Sequence, residues 1–196
     1  MGAFSDVHTQ IVFKPPIPTT SFSGKTIIVT GANTGLGKEA AKHLVCLGAE
    51  KVICTARSLG KGEAAKAEIE AETKRTGVVD IWMLDYGNYA SVKSFAAKAA
   101  TLACLDIVIL NAGVATEQWE MFEDNESTIT VNVVSTTLLT LLLLPILRSS
   151  AAKHGIRPVI TVVGSGAHAF TRFPERKSPN SLATLNNKDT AVMKDR

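Results

Sequence analysis

The chain has 196 residues, the length of one ordinary domain and enough to bury a real core. Hydrophobic residues make up 45% and charged residues 20%, near the globular average, which excludes gross disorder. With 21 basic and 18 acidic residues the net charge is +3 with no basic stripe, so nucleic acid is not an expected partner.

Residues 1–24 read as an N-terminal extension, because Pro15, Pro16 and Pro18 exclude a helix there. Asp6, His8 and Lys14 interrupt the apolar core that a signal peptide would need. Alternation then begins. "KTIIVT" (25–30) predicts a buried strand, and a helix follows over 35–47 with Leu36, Ala40, Leu44 and Leu47 on one face. "KVICTA" (51–56) predicts a second strand, 61–75 an exposed alanine-rich helix, 78–84 a third strand and 89–100 a third helix. "LDIVIL" (105–110) is a fourth strand, a long helix spans 123–150, and "PVITVV" (158–163) is a fifth strand. Residues 164–196 show neither a convincing strand nor an amphipathic helix.

Short apolar strands separated by helices predict an α/β fold, a doubly wound, Rossmann-like parallel sheet in three layers, C-terminally incomplete. The expected units are the extension (1–24), a nucleotide-binding domain (25–165) and an irregular segment (166–196). The run "VVSTTLLTLLLLPIL" (133–147) falls short of the ~18 apolar residues of a membrane span, and is expected to be a helix buried on both sides. Cys46, Cys54 and Cys104 form no CxxC or Cys/His cluster and are expected to be buried, reduced thiols, with no metal. Together these features predict a cytoplasmic protein without a membrane span.

"TGANTGLGKEA" (30–40) joins the first strand to the first helix and suggests a phosphate cradle. As a P-loop it fails, because Ala32 stands at the first glycine and Glu39 at the magnesium-binding hydroxyl. G-x-G-x-x-G fails too, with Asn33 at its second glycine. What remains is Gly31-x-x-x-Gly35-x-Gly37, suited to a tight turn, close backbone approach and a pyrophosphate at the helix N-terminus. A plain glycine-rich turn is the bland alternative. The second strand ends at Ala56-Arg57 without the acid that would bind a ribose 2′-hydroxyl. Arg57 can instead fork onto a 2′-phosphate with Lys61 adding charge, which favours NADP over NAD; a solvated arginine is the alternative.

The order Thr30-Gly-x-x-x-Gly-x-Gly37, Asp85, "NAG" (111–113), Asn132 and Ser165 resembles the short-chain dehydrogenase/reductase family. The "LDYGNYASVKSF" stretch is similar to retinol-dehydrogenase-like and fungal NADP-dependent reductases. The resemblance covers about residues 24–170. It implies that Gly31, Asn33, Gly35, Leu36 and Gly37 wrap the pyrophosphate and adjoining ribose of NADP. Asp85 would hold the adenine amino group and Asn111 the adenosine ribose, with Gly113 letting the cofactor lie against the strand end. Bland alternatives stand beside these roles: Asp85 as a helix-start residue, "NAG" as an ordinary turn.

The family reaction is hydride transfer between nicotinamide and a small carbonyl or alcohol. "SGAHAFTRF" hints at an apolar wall and a hydrophobic terpenoid or polyketide carbonyl of secondary metabolism. The resemblance makes Ser165 the substrate-orienting serine and Asn132 the asparagine of the proton relay. A loop hydroxyl and a polar side chain satisfied by backbone are the alternatives. The family's catalytic tyrosine begins Tyr-x-x-x-Lys. Tyr86 and Tyr89 stand beside Asp85 on the adenine side; neither is read as its start, and the motif is read as occurring nowhere in the chain. The motif is therefore expected beyond residue 196, together with elements that cover the long helix and the fifth strand. Without them the isolated chain is expected to be poorly soluble or completed by a partner, and homo-oligomerisation is tied to their presence. A catalytically inactive NADP-binding module or truncated remnant is the alternative reading.

Overall fold

The computed structural model describes residues 16–166, 171–191 and 193. In chain order the strands are β1 (Thr26–Val29), β2 (Lys51–Ala56), β3 (Val79–Met83), β4 (Ile107–Leu110), β5 (Met121–Phe122), β6 (Asn125–Glu126) and β7 (Val159–Val162). The helices are α1 (Gly35–Cys46), α2 (Leu59–Thr73), α3 (Tyr89–Ala99), the single turn α4 (Ser127–Ile129), α5 (Thr136–His154) and α6 (Ser181–Leu185). A π-helical stretch, Thr130–Ser135, links α4 to α5, and a 3₁₀ turn covers Pro174–Lys177.

The main sheet is parallel throughout, in the order β3-β2-β1-β4-β7. This is the doubly wound architecture expected from the alternation of strands and helices. Alternating residues of one strand serve opposite faces. Ile27, Val29, Val52 and Cys54 join a core with Ala41, Leu44 and Val45 of α1 and Ile69 of α2. Ile28, Ile53, Val108 and Leu110 join the other core, with Val92 and Phe95 of α3 and Leu139, Leu143 and Leu147 of α5. Lys25 and Asp106 tie the entries of β1 and β4 together at 2.9 Å, and Asp106 also accepts from the Thr26 amide at 2.9 Å.

Several expectations need correction. The buried face of α1 is Gly37, Ala41, Leu44 and Val45, one position round from the predicted stripe, while Leu36 is 80% exposed. The glycines cause the shift, because Gly37 must face the sheet to pack closely and turns Leu36 outward. Where one long helix was predicted from residue 123, the β5–β6 hairpin comes first. Its turn residue Glu123 sits at φ 52, which no helix tolerates. Cys54 is buried as expected, but Cys46 at the end of α1 is exposed and Cys104 half-buried. Residues 164–196 are not wholly irregular, since they include the 3₁₀ turn and α6; residues 167–170, at the centre of "SGAHAFTRF", lie outside the described residues.

The long helix is also not buried on both sides. Ser127–His154 forms 28 helical residues, long and apolar enough to cross a membrane by length and composition alone. One face packs on the sheet through Leu139, Leu143 and Leu147. Val133, Leu141 and Leu144 face outward, and the edge strand β7 exposes Val159 and Val162.

Two buried acids make alkaline stability a test of this packing. Burial pushes the Cys54 thiol from its ordinary 9.0 up to about 12. Burial likewise pushes the Tyr86 phenol from 10.0 up to about 12, against the smaller opposing effect of its bond to Thr30. Each group binds its proton more tightly folded than unfolded. Their contribution is complete below about pH 9 and lost as pH rises towards 12. Urea-melt midpoints should thus be level to about pH 9 and then fall; a flat profile to about pH 11 would contradict the burial of both groups.

Candidate active site

The order of the sheet reverses at β1, whose chain goes to β2 on one side and whose other neighbour is β4. Crevices beyond the carboxyl ends of strands at such a point are where open α/β sheets bind ligands. A cleft of about 660 Å³ lies there, and it is lined by Gly31, Asn33, Arg57, Lys61, Asp85, Asn111 and Gly113 from the predicted set. Thr34, Thr55, Ser58, Tyr86, Phe122 and Val131 complete much of the wall.

The three glycines of the loop have three different reasons to be glycine. Gly31 turns at φ +65, and a Cβ there would lie 3.0 Å from the Ala112 Cα. Gly37 allows α1 to press onto the strand ends, since its Cβ would fall 2.4 Å from the Gly31 carbonyl oxygen and 2.5 Å from Asn111 Nδ2. Gly35 sits at φ +57, yet nothing lies within 4 Å of where its Cβ would be. Fold packing thus explains Gly31 and Gly37. At Gly35 the fold requires only the backbone angle, and the space above it is open.

The helix starts around the cleft share a second feature. Thr34 and Ser58 occupy the N-cap positions of α1 and α2, and neither side chain caps its helix. Away from the cleft's glycine loop, Asn88 caps α3 through the Ser91 amide, and Asn180 caps α6 through the Ala183 amide. The first amides of α1 and α2 keep their positive end available to an anion. Arg57 and Lys61 flank Ser58, both exposed and in no ion pair among the described residues. Among the described residues Asp85 is the only acid on the wall; it follows β3, the strand paired with β2, and forms no ion pair with Arg57. Lys38, the other basic residue of the loop, is held by Glu68 of α2, which also raises its pKa, and it does not line the cleft.

Asp85 accepts from the Gly87 amide at 2.8 Å, and its own amide donates to Ser91 Oγ at 2.9 Å, so it also opens α3. The Asn111 side chain acts first as a strut: its Nδ2 donates to the Thr30 carbonyl at 3.0 Å and towards that of Gly31 at 3.4 Å. Its Oδ1 is the atom left to accept from a ligand. Asn132 lies in the π-helical stretch and grips both backbone groups of Val114, accepting from N–H at 2.9 Å and donating to C=O at 2.8 Å. It is exposed rather than buried, and a Cβ on Gly113 would approach its Oδ1 to 3.2 Å. Ser165 is exposed three residues beyond β7, at the same end of the sheet, but does not line the cleft.

Contrary to the reading of the tyrosines, the spacing Tyr-x-x-x-Lys does occur once, at Tyr89-Ala-Ser-Val-Lys93. It opens α3, where Tyr89 Oη accepts from Asn125 Nδ2 at 3.4 Å. Lys93 borders a separate groove between α3 and α5. The pair therefore stands apart from Ser165 and Asn132. Tyr86 points inward, its hydroxyl 3.4 Å from Thr30 Oγ1.

Two buried threonines hold the loop in ways the sequence does not spell out: Thr55, which it leaves unmarked, and Thr30, which it marks only as the head of the motif. Thr55 Oγ1 accepts from the Gly31 amide at 3.1 Å, joining β2 to the glycine loop. Thr30 Oγ1 accepts from the amides of both Asn111 and Ala112 at 3.0 Å, joining β1 to the turn after β4. A threonine at a strand end looks merely β-prone in sequence, so only its place at the head of the loop motif could have marked it. Thr30→Val should keep the shape and remove the acceptor, costing about 1–3 kcal/mol because the Ala112 amide loses its partner and the Asn111 amide keeps only the Ile109 carbonyl. An unchanged urea midpoint would show that water replaces the hydroxyl there.

The family profile for short chain dehydrogenase matches residues 25–173. The chain is 48% identical over 189 residues to the short chain dehydrogenase/reductase dmxR8 of Cryptosporiopsis sp. (strain 8999), covering 94% of this chain and 58% of that protein. It is 41% identical over 196 residues to the short-chain dehydrogenase anuD of Penicillium roqueforti (strain FM164), covering 100% of this chain and 51% of that one. The chain thus spans between half and three fifths of the length of these relatives. Among solved structures it resembles the Pseudomonas aeruginosa RhlG/NADP active-site complex, with a TM-score of 0.63 and 28% identity over 76% of this chain and 56% of that one. The parallel sheet, the glycine loop at its switch point and this match over residues 25–173 place the chain in the short-chain dehydrogenase family of oxidoreductases.

Proposed function

We propose that the protein is an NADP(H)-dependent oxidoreductase acting on a small, hydrophobic carbonyl or alcohol, with this chain supplying the cofactor half. The observation that carries the reading is the basic pair Arg57 and Lys61 on the cleft wall after β2, neither of them in an ion pair among the described residues. NADP fits the residues present: an open space above Gly35, two helix starts whose N-cap side chains make no cap bond, and two exposed cations, Arg57 and Lys61, for a 2′-phosphate. The NADP bound in the similar Pseudomonas structure supports the same choice.

In this reading the amides of the Gly31–Gly37 loop hold the pyrophosphate, with Asn33 and the exposed Leu36 bordering the adjoining ribose. Arg57 forks onto the 2′-phosphate, Asp85 accepts from the adenine amino group, and Asn111 Oδ1 faces the adenosine ribose. Gly113 keeps the floor beneath the cofactor thin. When bound, the nicotinamide supplies or accepts hydride. Ser165 orients the substrate oxygen, and Asn132 holds the backbone of Val114 from which a relay water is positioned. Neither tyrosine of this sequence serves as proton donor, because Tyr86 is buried against Thr30 and Tyr89 is engaged with Asn125.

That placement of both tyrosines also favours a second reading, an NADP-binding module without catalysis. The two part on one assay: a longer protein carrying this sequence and a following Tyr-x-x-x-Lys is mixed with NADPH and hydrophobic ketones. Oxidation of NADPH with formation of the alcohol supports the oxidoreductase. Tight NADPH binding with no turnover on any carbonyl would replace it by the module.

A further inference from the structure

The segment after Ser165 has a folded part whose contacts run towards the cleft. The 3₁₀ turn Pro174–Lys177 buries Glu175, and α6 buries Leu185. Its own polar groups knit it together: Thr184 Oγ1 donates to Ser178 Oγ at 2.9 Å, and Thr190 Oγ1 to the Thr184 carbonyl at 2.8 Å. At the end of α6, Asn186 reaches across to the β5–β6 hairpin with its whole amide. Its Oδ1 accepts from the Glu126 amide at 2.9 Å, and its Nδ2 donates to Asn125 Oδ1 at 2.8 Å and to the Asp124 carbonyl at 3.3 Å. Lys188, two residues on, lies 6.0 Å from the Trp119 ring.

The hairpin so gripped carries Phe122 on the cleft wall, where a Cβ on Gly87 would touch its ring at 3.2 Å. Glu123 accepts from the Tyr89 amide at 2.8 Å, and Thr130 Oγ1 donates to the Phe122 carbonyl at 2.7 Å. A two-residue hairpin is too short to hold its own geometry, so its position depends on these outside anchors. Those at Tyr89 and Thr130 come from the start of α3 and from the π-helical stretch. Asn186 anchors it from the later segment.

We propose that residues 174–190 form a strap, and that Asn186 is its clasp: a positioning residue that fixes the hairpin so that Phe122 stands as a wall beside Asp85 and Gly87. This rests on the NADP reading for what the wall encloses, the adenosine half of the cofactor. The side chain touches no ligand and acts through the hairpin.

The test measures affinity for adenosine 2′,5′-bisphosphate, and amide hydrogen exchange over 121–126, in the chain and in Asn186→Ala, Asn186→Asp and Leu182→Ala. Loss of the clasp should weaken the bisphosphate about three- to tenfold, the worth of one or two neutral hydrogen bonds. It should leave nicotinamide mononucleotide unaffected and speed exchange in the hairpin. Asn186→Asp keeps the acceptor for the Glu126 amide and should recover part of the affinity. Leu182, exposed on the same helix, should change neither quantity. Equal bisphosphate affinity in Asn186→Ala, or equal loss for both halves of the cofactor, overturns the proposal. If the unaltered chain binds no bisphosphate, the NADP reading fails, and exchange alone decides: faster exchange in Asn186→Ala supports the clasp, and unchanged exchange overturns it.

Discussion

Gly37→Ala is expected to lower NADPH affinity by at least about 100-fold and to destabilise the chain by about 1–3 kcal/mol. The added methyl would sit 2.4 Å from the Gly31 carbonyl oxygen and 2.5 Å from Asn111 Nδ2. Both atoms belong to the loop or to the strut that supports it, and neither is the free end of a flexible side chain. Relief requires α1 to move away from the strand ends, which takes its first amides out of position for a phosphate. Gly35→Ala is the informative partner. It meets nothing within 4 Å and suffers only from its φ of +57, a cost of about 1–2 kcal/mol. Its methyl would nevertheless enter the space assigned to the pyrophosphate, so binding should fall further than stability explains. Full NADPH binding by Gly37→Ala would show that the loop is not the cradle.

The second large effect concerns cofactor choice. Arg57→Ala removes the one planar, five-donor cation on the wall after β2. Hydrogen bonds to a charged group are worth about 1.5–3 kcal/mol, so NADPH binding should weaken by roughly 10- to 150-fold. NADH lacks the 2′-phosphate, and its affinity should change by less than about twofold. Lys61→Ala should act in the same direction and less strongly, as a point charge on the first turns of α2. Raised salt should erode the NADPH preference, because both cations are exposed. Equal losses for the two cofactors would assign Arg57 to the shared part of the molecule or to the solvent.

Much of this arrangement was legible in the sequence for a physical reason. Parallel strands buried on both faces need unbroken apolar runs, and "KVICTA" is β2 to the residue. A tight turn and close helix packing after such a strand need glycines, and Gly31 and Gly37 meet those two needs. Seven of the ten cofactor residues expected from sequence line one cleft. The elements that escaped are those whose cause is tertiary. β5 and β6 have two residues each and no period, and the hairpin exists because Glu123, Thr130 and Asn186 anchor it. Leu36 looked like a core residue because its spacing fitted a helical stripe, but close packing at Gly37 sets the rotation of α1. The outward face of α5 carries Leu141 and Leu144 beside the inward Leu139, Leu143 and Leu147, so periodicity could not tell one buried side from two. At Tyr89 the spacing of a catalytic pair coincides with an ordinary helix start, and only the position of Asn125 shows which it is.

In the proposed function, the cleft at the ends of β1 and β4 holds NADP(H). Calorimetric titration of the chain with NADPH and with NADH tests it most directly. One saturable NADPH site, at least about tenfold tighter than NADH, is the result this account predicts. Equal or tighter NADH binding, or no saturable binding of either, would contradict it.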